Sequence, residues 1–366
     1  MPTTNTTLRD RAIRHAMYLL RIGNAEAERM VVFIDQELLP SVVAQLARRL
    51  ARVDERGFDL GPRTTARMEA LEASLREIVS ETTGIARTEF IGRMRELAAD
   101  EGHFAMGVIG AESPVDLDTV LPTPAALRQA ALARPFEGEA IKGWFDQLET
   151  NTQALLTRTV RIGMAQGDTI DQLTARIRGT AAQGFTDGAI QATRAQAEAI
   201  ARSGVIHVST QARERTYEEN AELIKAVQWV STLDARTCPE CGGLDGQTFD
   251  VGEGPRPPAH FNCRCTTVPV LRSWKELGIE LPEAPEGTRA SMNGQVAETI
   301  TYPDWLAGQP RSVVVDALGP SRAALFLKGD LEVRDFVDTR GNTLTLEQLR
   351  RVEGDAFKRA GLDPGE

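Results

Sequence analysis

Residues Thr237–Cys265 read TCPECGGLDGQTFDVGEGPRPPAHFNCRC, and this stretch decides how the C-terminal part of the chain is built. It holds all four cysteines of a 366-residue protein and one of its four histidines. Cys238-x-x-Cys241 sets two sulfurs on one turn, and His260-x-x-Cys263-x-Cys265 follows after a Gly- and Pro-rich loop. In an extended segment residues 263 and 265 point the same way with Arg264 opposite, so both sulfurs can face one point. Pairs of soft ligands separated by a loop match a tetrahedral zinc site. Five donors compete for four positions. The favoured sets join Cys238, Cys241 and Cys265 with either Cys263 or His260, and spacing leaves both open. Two disulfides are the duller reading, but a Cys-x-Cys pair is awkward to bridge and a cytosolic chain is kept reduced.

Working outward, AVQWVSTLD (226–234) and TTVPVL (266–271) carry β-branched and aromatic residues, so they read as two strands flanking the cysteine loop. Together they predict a small β-hairpin unit pinned at its tip by metal. Gly242 and Gly243 should let backbone N–H groups approach the sulfurs. Trp229 and Trp274 should cover the apolar side, with Asp234 capping the turn and Arg236 paired to a neighbouring carboxylate. A catalytic zinc keeps an open position and favours His and carboxylate ligands, whereas thiolates here suffice to close the shell. The ion is therefore expected to be structural, one Zn2+ per chain, with no catalytic residue and no organic cofactor. A deaminase would need His-x-Glu ahead of its Cys-x-x-Cys, and a nuclease more histidines near its metal than His15, His103 and His207 supply.

The remainder predicts helix. LRDRAIRHAMYLLRI (8–22) follows Thr7, a candidate cap with Asp10 three residues on. AEAERMVVFIDQELLPSVVAQLARRLARV (25–53) is amphipathic, and Pro40 should kink or break it. Gly57, Gly61 and Pro62 mark a turn before the long amphipathic run 63–102. Gly110–Leu127, with three prolines, reads as an extended connector. Helices resume at 140–167, ending on Gly167, and at 168–179, where Thr169 and Gln172 fit a capping box. An Ala/Arg-rich helix follows over about 189–220. Its Arg194, Arg202, Arg213 and Arg215 alternate with Glu198, Glu214 and Glu218, the pattern of a solvated face. The tail beyond 286 reads as helical. The expected fold class is mainly α with a small zinc-stabilised β-hairpin unit (α+β). Four regions are expected: 1–110 a helical docking region, 111–225 central helices, 226–285 the zinc-knuckle β unit, and 286–366 a mainly helical tail.

Net charge is −10, which argues against a protein that coats nucleic acid over its surface. The N-terminus lacks a signal-type apolar run, and no stretch approaches the roughly 20 apolar residues of a membrane span. No membrane association is expected.

WVSTLDARTCPECGGLDGQTF followed by PPAHFNCRC resembles the signature of the phage head morphogenesis family, the minor head proteins similar to phage Mu F. The elements are Trp229, Asp234–Cys241, Leu244–Phe249 and Pro257–Cys265, with Phe261 where the family often has Pro. The resemblance extends over about 134–350 in the helices upstream and the tail downstream. It implies a minor capsid protein of a tailed bacteriophage, acting in head morphogenesis at or near the portal vertex. The implied partners are the portal protein and a major capsid or scaffolding protein, with contact to packaged DNA compatible and several copies around the portal. The implied location is the virion, inside the capsid or at the portal vertex, and the host cytoplasm during assembly. A metal-dependent nuclease or another enzyme carried on a head protein is the competing class.

Overall fold

A computed structural model describes residues 4–54, 62–111, 117–280, 288–339 and 341–362. The protein is mainly α-helical with small antiparallel sheets, in agreement with the expected class. The chain forms two compact units, one of Met1–Leu19, Ala98–Ala130 and Ser209–Glu366, the other of Leu20–Leu97 and Ala131–Val208. Helices α1 (Thr4–Phe33), α3 (Pro62–Ala111) and α7 (Gln191–Glu219) contribute residues to both.

Among the described residues the second unit is mainly helical. Pro40 does not break its helix. The chain widens into a π-helical turn at Ile34–Leu38, where the Leu39 N–H reaches back to the Ile34 carbonyl, and then runs on as α2 (Leu39–Asp54). The wider turn absorbs both the missing N–H and the ring that would collide with the carbonyl four residues back. Ile34, Leu38, Leu39, Val42 and Leu46 enter the core. The run Arg9–Leu50 is, by length and composition alone, apolar enough to cross a membrane, with a mean hydropathy of 1.4 over 18 residues and 39 % of that window buried inside the protein. This corrects the expectation that nothing approaches that length. Charges such as Asp35 and Glu37 interrupt every apolar run, yet the Val, Leu, Ile and Phe between them raise the average; a buried core helix passes the same test.

Helix α5 (Ile141–Gln166) stops where Gly167 turns left-handed at φ 77°, as expected. The capping box of α6 (Ile170–Arg178) is formed, with the Gln172 N–H on Thr169 Oγ at 3.2 Å and the Thr169 N–H on Gln172 Oε1 at 2.8 Å. Phe90 of α3 and Phe145 of α5 meet at 5.6 Å between ring centres. On α7, Gly204 lets the Phe90 ring come so close that a Cβ there would lie 2.7 Å from it.

In the first unit, α7 is followed by β1 (Ile224–Val230), which pairs antiparallel with β2 (Thr248–Phe249) on one side and β3 (Thr266–Leu271) on the other. The expected two strands form, and β2 makes the unit a three-stranded sheet. Val227, Ile224 and Leu271 pack with Tyr217 and with Ala105, Val108 and Ile109 of α3. Extended chain at 117–123 is clamped by Asn220, whose amide accepts the Val120 N–H and donates to the Val120 carbonyl, both at 2.8 Å; α4 (Pro124–Ala133) then resumes.

The solvated face expected of α7 is overturned at its centre. Arg213 and Glu214 are each 1 % exposed. Arg213 lies 3.5 Å from Glu101 of α3, itself bonded to His15 of α1 at 2.5 Å, and Glu214 takes two hydrogen bonds from Arg256 at 2.7 and 2.8 Å. Alternating charges look the same whether the partner is water or a buried counter-charge. Near the N-terminus the helix begins at Thr4, so Thr7 lies inside it; the side chain of Thr7 and the turn expected through Gly57 and Gly61 lie outside the described residues.

The tail is helical as expected in α9 (Tyr302–Ala307), α10 (Arg311–Lys328, bent at Gly319–Pro320), α11 (Leu346–Val352) and α12 (Gly354–Ala360). It also holds an unforeseen hairpin, β4 (Thr288–Ser291) with β5 (Gly294–Ala297), whose turn signal is Asn293-Gly294. Tyr302, Trp305, Leu306, Phe336 and Phe357 form its core.

Candidate metal centre

Cys238 caps a short helix, α8 (Pro239–Leu244), and its sulfur accepts the Cys241 N–H at 3.4 Å. Pro239 at the first helical position suits this turn, since its missing N–H has no role there. The glycines after Cys241 serve a different purpose from the one expected. A Cβ on Gly242 would lie 2.5 Å from the Tyr302 ring, and one on Gly243 would lie 3.3 Å from the Arg334 backbone. They let the tail press against α8, and the N–H bonded to sulfur comes from Cys241 itself.

On the opposite side Asn262 takes a left-handed conformation, φ 61°, which swings the chain between His260 and Cys263. Arg264 points away from the sulfurs and grips Asp234 with two hydrogen bonds of 2.6 Å, while Asp234 also accepts the Arg236 N–H at 2.9 Å. Asp234 thus caps the turn as expected, and its main partner is Arg264.

All five sequence-identified donors converge. His260 Nε2 lies 3.1 Å from Cys238 Sγ and 3.4 Å from Cys241 Sγ, and Cys241 Sγ lies 3.7 Å from Cys263 Sγ. Cys238, Cys241 and His260 form one triad, and Cys241, Cys263 and Cys265 a second, each with ligand atoms within 4.8 Å of one another. A tetrahedron with metal–sulfur bonds of about 2.3 Å has sulfur–sulfur edges of about 3.8 Å, so the Cys241–Cys263 separation fits. His260 Nδ1 lies 2.9 Å from the Phe261 carbonyl oxygen. Donating its proton there leaves the Nε2 lone pair facing the sulfurs, the tautomer a metal requires.

Electrostatics couple the donors to one another, and the proton that Cys238 holds on His260 is one that a bound metal would displace. The hydrogen bond with Cys241, followed by His260, pulls Cys238 down to about 5, and His260 rises to about 10, chiefly through Cys238. Cys263 is held well below the usual thiol range by Cys241, Cys265 and two backbone N–H groups, while Cys241 is raised, first by Cys238. Four crowded sulfurs oppose one another's ionisation; a dication bound among them lets them ionise together. The donor set fits a borderline-soft divalent ion.

The Cys241, Cys263 and Cys265 side of the cluster is buried. Trp229 packs against Cys241, Cys263 and Cys265, and its indole N–H donates to Ser231 Oγ at 3.0 Å. Ser231 Oγ donates to the Cys241 carbonyl at 2.6 Å, and Cys265 Sγ lies 3.6 Å from Ser231 Oγ. Trp274 is buried but is not among the residues packed on the sulfurs.

Sequence inspection misses what ties this centre to the tail. The Asp245 side chain is completely buried and meets Arg289 of β4 in a two-pronged ion pair of 2.8 and 3.1 Å. It also accepts the Ser231 and Tyr302 N–H groups, each at 2.7 Å. Arg289 donates further to the Ser231 carbonyl at 2.7 Å. No local pattern marks these residues, because Arg289 stands 44 positions from Asp245.

Residues 154–268 match the family model described as Phage Mu protein F like protein. The matched segment ends just past Cys265 and includes all five donors. The resemblance read from the Cys/His signature therefore holds over this segment, a shorter stretch than the 134–350 expected, and it is consistent with a phage head morphogenesis family. No curated protein and no solved structure matches the chain.

Proposed function

We propose that this protein is a minor head protein of a tailed bacteriophage, acting in head morphogenesis at or near the portal vertex, with one structural zinc ion per chain. The observation that carries the reading is the convergence of five Cys and His donors within the segment matched to Phage Mu protein F like proteins. The two sets favoured from sequence both included Cys265; in their place Cys238, Cys241, His260 and Cys263 hold the ion, supported by the run of short separations from Cys238 through His260 and Cys241 to Cys263. Cys265 stays outside the shell as a thiol against Ser231. Four protein ligands of which three are thiolates leave no open position and make the ion a poor Lewis acid, which argues for a structural role over a catalytic one. Binding supplies on the order of 10 kcal/mol to folding of the loops that carry the donors.

The helices of residues 1–110 dock onto the portal or the capsid, and several copies surround the portal vertex. Contact with packaged DNA is compatible with this position; membrane association is not part of it. Metal analysis of the purified protein should find one zinc per chain. Crosslinking in purified particles should join the chain to the portal protein. Crosslinks confined to the tail, or no copies in the particle, would end the head-protein reading.

A further inference from the structure

We infer that a groove between α1 and α3 in the second unit binds an amphipathic helix that carries basic side chains. One wall is Ala25, Arg29, Val32 and Gln36, spaced by about one helical turn; the other is Ala86, Glu89 and Arg93. The groove encloses about 460 Å³. From Ala25 to Gln36 it spans about 16 Å at about 1.5 Å per residue, the length of three helical turns. Two helices side by side present the ridged channel into which a third helix packs.

Its chemistry selects the occupant. The floor is apolar, with Met30 and Phe33, and Val32 stands 42 % exposed at the edge. Three carboxylates, Glu28, Glu37 and Glu89, line it against two guanidiniums, Arg29 and Arg93. Both guanidiniums are already engaged: Glu26, a buried carboxylate, accepts from Arg93 Nε at 2.9 and 3.0 Å and also from Arg29, and Arg93 pairs further with Glu89 at 3.7 Å, so the surplus lies on Glu28 and Glu37. Glu28 and Glu37 are exposed and make no ion pair among the described residues. The widened turn Ile34–Leu38 and Pro40 lie at the same end, and Pro40 brings no amide to that turn. A groove of apolar floor and surplus carboxylate pairs with leucine-sized side chains flanked by Lys or Arg. The assignment rests on the docking role proposed above for residues 1–110, and its test has a separate readout.

The probe is a synthetic amphipathic Leu/Lys helix of about four turns, with a Leu/Glu helix of the same pattern beside it. Binding to the full chain is followed by fluorescence anisotropy, and position by photo-crosslinking from p-benzoylphenylalanine at Val32. The Leu/Lys peptide should bind at least about tenfold more tightly than Leu/Glu. Glu28→Lys with Glu37→Lys and Glu89→Lys should invert that preference. Reversing Glu253, Glu347 and Asp355, which are exposed in the other unit, should leave it unchanged. Equal effects of the two triple variants would mean general acidity only, and would overturn the inference. So would absence of crosslinks from Val32, or a dimer of this chain that the groove variant abolishes, since a second copy would then be the occupant. Groove variants that lose peptide binding yet still enter particles normally overturn the docking role and leave the groove's chemistry intact.

Discussion

Asp245→Asn tests how the metal-bearing unit is fastened to the tail. The carboxylate is completely buried and satisfies four donors: two from Arg289, at 2.8 and 3.1 Å, and the Ser231 and Tyr302 N–H groups, each at 2.7 Å. Asparagine keeps the shape and one acceptor. Its amide nitrogen, however, faces both a guanidinium N–H and a backbone N–H at either position, and the charge that offsets buried Arg289 is gone. Removing one partner of a buried pair costs about 3–5 kcal/mol, and an unsatisfied backbone N–H adds about 1–3 kcal/mol. The expected loss is therefore about 4–8 kcal/mol, a large part of the stability of an ordinary domain. Urea unfolding followed by tryptophan fluorescence suits the measurement, since Trp229, Trp274 and Trp305 all lie in the first unit. A cycle with Arg289→Met sharpens it. Methionine removes the stranded charge, so the double variant should be more stable than the sum of the two single losses by about 2 kcal/mol. A single-variant loss under about 1 kcal/mol, or strict additivity, would refute the idea that this pair works as a buried lock.

Other outcomes follow from the same structure. Cys263→Ser and His260→Ala should lower bound zinc well below one per chain, while Cys265→Ser retains it; metal analysis after dialysis decides, and retention by Cys263→Ser would reverse the ligand assignment. Stripping zinc with a strong chelator should abolish protection from proteolysis between 226 and 271 while leaving the helices of the second unit intact by hydrogen exchange. Gly242→Ala puts a methyl 2.5 Å from the Tyr302 ring and should cost about 1–3 kcal/mol of stability by urea titration. Burial holds His207 down at about 4, from an ordinary 6.5, while its Nε2–H bonds to the Arg134 carbonyl at 3.0 Å. The unfolded chain therefore takes up this proton first: its contribution is fully present above pH 6.5 and is lost as pH falls toward 4, by about 1.4 kcal/mol per pH unit. His207→Gln should flatten stability by that slope within this window, and an unchanged slope would mean the imidazole is not protected from protons.

Much of this protein is legible in one dimension because its signals are local. Gly167 ends a helix, Thr169 and Gln172 start the next, and the spacing of Cys238, Cys241, His260, Cys263 and Cys265 brings five donors to one place. The caps depend on contacts within a few residues, and the donors on two short segments, Cys238–Cys241 and His260–Cys265, that lie close together in the sequence. Pro40 shows where local reasoning stops: a proline disfavours the regular helix, yet the chain can widen a turn around it when the flanking leucines have a core to enter.

By itself, then, the order of residues determined that helices dominate and that sulfur ligands gather on two loops. Only tertiary structure decided that Arg213 and Glu214 are buried, that Asp245 waits for Arg289, and that the units interleave along the chain. The physical reason is that a charge pattern records which residues can pair, while burial and partner are set by whichever distant segment packs against them.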